Sequence, residues 1–214
     1  MTTYELKQLF RAYADEPDTS FLTDADIELY LGIGYGRFRA LVNSVDEMRY
    51  AKEKDVSLTA SKTVDLAASG VDFETILSVS IVNTGDTSTT PLVPVTTPDE
   101  LFRVDMGRQI SRYLLIDGSL KFSSEISATI RIMYIPKPVI AWNTGSPGAT
   151  VDAITMFHDL IALLAYSNYA IRDGEQNMAL MQQMQERQAE FRAYLMEGQS
   201  RQQNSIVIDD PDWL

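Results

Sequence analysis

The longest apolar pattern in the chain runs from Asp152 to Met196. Its first half carries Ile154, Met156, Phe157, Leu160, Ile161, Leu163, Leu164, Ala165 and Tyr166, apolar on nearly every side. A helix of that kind is predicted to lie buried between other elements, because it has no face to give to water. In the second half Met178, Met181, Phe191, Tyr194 and Leu195 form a narrower stripe, and Gln182, Gln183, Gln185, Glu186, Arg187 and Gln188 cover the rest. This predicts a surface helix or one that packs on a partner. Gly174, after Asp173, is where the first helix ends or kinks. Each half is expected to be about 30 Å long.

At the other end, Leu6, Leu9, Phe10 and Tyr13 recur at helical spacing between Tyr4 and Ala14, and Asp15-Glu16-Pro17-Asp18 stops them. Thr23 then precedes an acidic first turn of Asp24, Asp26 and Glu28, a good cap at the positive end of a helix dipole. The helix it starts places Ile27, Tyr30, Leu31, Phe38, Leu41, Val42 and Val45 on one stripe. Gly32, Gly34 and Gly36 interrupt that helix and are expected to let another backbone approach closely.

After Met48 the period changes from helical to alternating. Val56 to Leu66 reads as one half-buried strand, Leu77, Val79 and Ile81 as part of another, and Ile126 to Tyr134 as the clearest of all. Thr84 to Thr90 is a loop by composition. Pro94 confines Leu92–Val95 to a sheet edge. Thr97 and Pro98 open a helical turn, and Asp117-Gly118 closes a hairpin between Tyr113–Ile116 and Leu120–Phe122. Ile135-Pro136-Lys137-Pro138 ends the strand region, and Asn143–Gly148 leads into the long helices.

The fold class is therefore α+β: a helical bundle of N-terminal and long C-terminal helices, an inserted antiparallel β-sheet, and an extended C-terminal tail. The expected segments are 1–48 for the first helices, 49–142 for the β insertion, 143–197 for the long helices and 198–214 for the tail. The tail ends Ser205-Ile206-Val207-Ile208-Asp209-Asp210-Pro211-Asp212-Trp213-Leu214. A solvated tail has little use for these apolar residues. Either it folds back on its own domain, or it docks on another subunit.

Composition narrows the chemistry. The chain of 214 residues has no cysteine, which excludes disulfides, thiol catalysis and cysteine-held metals. Its formal charge of −12, from 30 acids and 18 bases, argues against gripping nucleic acid by its phosphates. A negative surface suits solubility, or a wall that nucleic acid passes without sticking. MTTYELKQLF lacks the apolar core of a signal peptide, and Ile154–Ala170 is too short and too polar to span a membrane, so synthesis in a cytoplasm is expected. Gly32–Arg37 lacks the spacing, preceding strand and lysine of a phosphate loop. His158, the single histidine, is expected to be a satisfied buried or interface group, with Asp159 on another face. Asp15, Glu16 and Asp18 lack the pattern of a calcium loop. No acidic pair stands out for glycoside hydrolysis. No catalytic residue, metal or cofactor is expected, and the chain reads as a non-enzyme.

The order of elements resembles the head-to-tail adaptor (connector) proteins of tailed bacteriophages and their relatives among podovirus tail tubular proteins. The likeness rests on Phe21–Glu28 with its helix, on Arg112–Phe122, on Thr129–Pro138 with its Tyr-x-Pro exit, and on Phe157–Ala165 with the long helix after it. The resemblance implies a structural virion protein at the head–tail junction. Such proteins form a ring, commonly of twelve subunits, beneath the portal protein. The ring extends the DNA channel and gives the tail or nozzle protein a platform. It implies portal docking by Ile206, Val207, Ile208, Trp213 and Leu214, and a subunit interface through Met178, Met181, Met184, Phe191 and Leu195. A neck protein that hydrolyses peptidoglycan and a tail terminator or stopper ring are the alternatives.

Overall fold

The computed structural model describes residues 1–16, 21–83, 88–103, 111–142, 151–152, 154–174 and 177–203. The protein is α+β, and the chain divides into two compact units: a helical unit of residues 1–49 with 138 onward, and a β unit of 50–137.

In the helical unit, α1 (Thr3–Ala14) begins at a capping box in which Thr2 and Glu5 satisfy each other's backbone N–H groups. It ends at Asp15, whose left-handed φ of 56° suits a short polar side chain. α2 (Asp24–Asn43) is capped the same way by Thr23 and Asp26. A short 3-10 turn (Thr155–Phe157) leads into α4 (His158–Asp173), which stops at Gly174 with φ 77°. α5 (Met178–Gln203) follows, with Asn177 Oδ1 accepting from the N–H groups of Ala179 and Leu180. At a rise of about 1.5 Å per residue α4 is about 24 Å long and α5 about 39 Å.

Every residue from Leu160 to Ser167 is buried, because α1, α2 and α5 all pack on α4. This is the all-round burial that its apolar composition predicts. Aromatic rings link the helices: Phe10, Tyr30 and Tyr169 meet at 5.7–6.0 Å, and Phe38 stacks on Phe191 at 4.7 Å. Of the three glycines of α2, only Gly34 is set against another backbone. A Cβ there would lie 2.5 Å from Ile161 O and 2.8 Å from Ala165 N. Nothing comes within 4 Å of the same position on Gly32, and on Gly36 only Pro138 Cγ reaches 4.0 Å.

Among the described residues the β unit holds two four-stranded sheets where one was expected. The first orders β1 (Lys52–Ser57), β8 (Thr129–Pro136), β3 (Phe73–Val82) and β4 (Thr89–Pro91), all antiparallel. The second orders β2 (Ser61–Asp65), β7 (Ser119–Ile126), β6 (Arg112–Ile116) and β5 (Val93–Val95), and its β5–β6 pair is parallel. α3 (Pro98–Leu101) lies between β5 and β6. Val64, Leu120, Phe122 and Tyr113 from one sheet share a core with Val79, Ile130, Ile132 and Tyr134 from the other. The strand expected over Val56–Leu66 is two strands in different sheets, and so is the one over Ile126–Tyr134. Both breaks fall at one place, where Leu58 N–H donates to Ala128 O and Ala60 N–H to Ser127 Oγ. The hairpin turn is as expected, with positive φ at both Asp117 and Gly118.

Candidate functional site

α2, α4 and α5 enclose a groove of about 420 Å³ on the helical unit. Residues three, four and seven apart on a helix share a face, and that spacing builds each wall. α2 supplies Arg37, Ala40, Leu41 and Ser44; α4 supplies Leu164 and Ser167; α5 supplies Met184, Gln188 and Arg192. The close approach at Gly34 sits one turn before Arg37 and brings α2 down onto α4 beside the groove. Arg37 Nη1 donates to Ser167 Oγ at 3.2 Å, and that hydroxyl donates to Leu164 O at 2.8 Å.

The charges here differ from those of Arg11 and Arg187. Arg11 is buried and ion-paired with Asp24 at 2.7 Å. Arg187 grips Asp159 through two hydrogen bonds of 2.7 and 2.8 Å, reaches Glu190, and lies over the Phe157 ring at 4.9 Å. That clamp fastens α5 to the start of α4. Arg37 and Arg192 are exposed, and among the described residues neither meets a carboxylate at ion-pair distance. The groove therefore presents positive charge over an apolar floor in a chain of net charge −12.

A second polar cluster is buried. Tyr35 Oη donates to Asp152 Oδ2 at 2.9 Å, and Asp152 Oδ1 accepts from Ile154 N–H at 2.9 Å. His158 Nε2 lies 3.0 Å from Asp152 O, and a carbonyl only accepts, so Nε2 carries the proton. The Arg39 guanidinium lies 5.9 Å from the Tyr35 ring centroid. Burial pushes the Tyr35 hydroxyl up, against the Arg39 hydrogen bond and with the help of the Asp152 charge. Burial, joined by the N-terminal ammonium, holds the His158 imidazole below its ordinary range. Tyr35, Asp152 and the His158 Nε2–H satisfy one another and fix the segment before α4 on α2, which is structural work, while the buried His158 Nδ1 meets no hydrogen-bond partner among the described residues.

The residues expected to act at interfaces do not stay together. Phe191 and Leu195 are corrected to core positions: Phe191 is fully buried between Phe38 and Phe157, and Leu195 is 3% exposed. Both face their own chain because α5 packs on α2 and α4 through this stripe. Met178 is 75% exposed, Met181 and Met184 are half-buried, and Met184 belongs to the groove. Ile206, Val207, Ile208, Trp213 and Leu214 lie outside the described residues, as does Asp18 of the acidic stretch. Among the described residues no three acidic or histidine side chains converge on a point that would hold a metal ion. Arg37 and Arg192 were not singled out from the sequence, where 155 positions separate them; only their helical phase with Leu41 and Met184 hints at a shared face. The sequence matches no protein-family model and no curated protein at a significant level.

Proposed function

We propose that this protein is a structural head-to-tail adaptor of a tailed bacteriophage. It assembles as a ring beneath the portal protein, extends the DNA channel, and gives the tail or nozzle protein a place to attach. The observation that carries this reading is the order of the elements. A two-helix start and a two-helix finish form one unit, and a β unit is inserted between Arg49 and Pro138. The stretches that carry the resemblance stand at the joints of that order: the Thr23 cap of α2, the Asp117-Gly118 turn, the Pro136-Lys137-Pro138 exit and the buried α4.

Two further features support it. α5 exposes Met178 and Met196, and α2 exposes Leu29 and Ile33, apolar side chains that suit packing against neighbouring subunits. Methionine adapts to an imperfect fit, which is useful where rings of different symmetry meet. The subunit contact on this reading uses these exposed residues and not Phe191 or Leu195. The net negative charge suits a conduit that DNA must leave without adhering.

The test is the mass of the complex formed when the purified protein is mixed with its portal, for the full chain and for a chain truncated after Gln203. The expected result is a ring on the portal with the full chain and none after truncation, which assigns docking to Ile206–Leu214. A ring that survives truncation keeps the adaptor and moves the docking site. No complex with either chain overturns the reading, and a muramidase assay on the same protein then tests the enzymatic alternative.

A further inference from the structure

The groove on the helical unit has a chemistry that selects its occupant. Leu41, Leu164 and Met184 give it an apolar floor, and Arg37 and Arg192 give it two exposed cations. An extended segment with carboxylates and large apolar side chains fits both features. The chain carries such a segment just past α5. Residues 204–214 hold Asp209, Asp210 and Asp212 among Ile206, Val207, Ile208, Trp213 and Leu214, with no basic residue.

The phase of α5 puts its C-terminal end on the groove's side of the helix. Gln203 lies eleven residues beyond Arg192 on one unbroken helix. At about 100° per residue that is three full turns and roughly 20° more, so the chain leaves α5 on the edge that carries Arg192. The rise of α5 from Met184 to Gln203 is about 28 Å, and eleven extended residues span up to about 36 Å. A segment that turns back along α5 is therefore long enough to reach the whole groove.

We propose that residues 204–214 dock in cis in the groove between α2, α4 and α5, with the aspartates on Arg37 and Arg192 and Trp213 against Leu164 and Met184. The docked segment covers an apolar cleft that water would otherwise fill. It is held by charge pairs at an exposed rim, which are weak enough to release it. A partner that binds the segment more tightly than the groove does draws it out, so the segment has a resting place in the free protein. The docking itself does not depend on what that partner is.

The test uses the full-length protein carrying Trp142→Phe, which leaves Trp213 as the one tryptophan of the original two. The expected emission of Trp213 is blue-shifted and shielded from acrylamide, equally at low and high protein concentration. In Arg37→Glu/Arg192→Glu it moves to the solvent position, and in Asp209→Asn/Asp210→Asn/Asp212→Asn it does the same, with far-UV circular dichroism unchanged. Should the arginine pair disturb the dichroism, Met184→Lys replaces it. Solvent-like emission in the parent overturns the proposal. So does protection that persists in either set of variants, because the groove and the segment must both matter. Protection that grows with concentration alongside a dimer mass also overturns docking in cis and gives the groove to a second copy. No portal is present, so failure here and failure of the adaptor reading are separate results.

Discussion

His158 is the single histidine of the chain, and it is held where charge is costly. Its ring is 1% exposed, and its Nε2–H is committed to the Asp152 carbonyl. Burial is the largest influence on it and lowers its pKa from the ordinary value of 6.5; the N-terminal ammonium acts in the same direction. The folded state therefore prefers the neutral ring more strongly than the unfolded state does. That contribution is fully present above the unfolded pKa and is lost as pH falls through the folded one. The predicted behaviour is a fall in urea-unfolding stability as the pH drops through the unfolded value near 6.5 that is flattened in His158→Gln, which keeps an N–H donor. The lowered carboxyls of Glu5, Asp26, Asp55 and Glu100 start from ordinary values of 4.5 or below, so they act on the acid side of this window. An equal slope in the two proteins would sink the argument.

At the scale of elements, the contact between α2 and α4 turns on one glycine of three. At Gly34 an added methyl meets backbone, Ile161 O at 2.5 Å and Ala165 N at 2.8 Å, and neither atom can move alone. Gly34→Ala is expected to push the two helices apart and to cost about 3 kcal/mol. Gly32, two residues earlier, has open space and helical geometry. Gly32→Ala is expected to stabilise the protein by about 0.5–1 kcal/mol, through the unfolded chain and helix propensity. Urea midpoints of the two variants, moving in opposite directions, check both. The glycines were legible in the sequence as a packing signal, but which one does the work depends on the phase of α2 against α4, and that is a tertiary fact. The Thr23 cap and the Asp117-Gly118 turn were legible because their chemistry is local. The division into two sheets was not. Side-chain alternation continues through Leu58–Ala60 and through Ile126–Ala128 while the chain passes from one sheet to the other, so the period of two carries no mark of the crossing. The groove was illegible for a similar reason, since its two cations come from helices far apart in the chain.

At the scale of the whole molecule, the β unit enters and leaves the helical unit's sequence at neighbouring points. Lys52 of β1 pairs with Tyr134 of β8, so the strands at the two ends of residues 50–137 lie side by side. The unit also has its own core, drawn from both sheets. A segment with adjacent ends and a private core is one that folding does not need to close from outside. Residues 50–137 expressed alone are therefore expected to unfold in one cooperative urea transition. The slope of that transition should be smaller than that of the full chain, because the slope follows the surface exposed on unfolding. The helical unit makes the complementary demand. Its helices α1, α2, α4 and α5 come from both sides of the insertion, and α4 is buried only when α1 and α2 cover it. Joining Arg49 to Pro138 by a short glycine–serine linker should leave a helical protein that retains the stacked Phe38–Phe191 pair and the Arg187–Asp159 clamp. The decisive measurement is the pair of urea curves. Cooperative unfolding of each piece shows that the β unit is an insertion in the energetic sense. A non-cooperative curve for residues 50–137 shows instead that its core is completed by the rest of the chain.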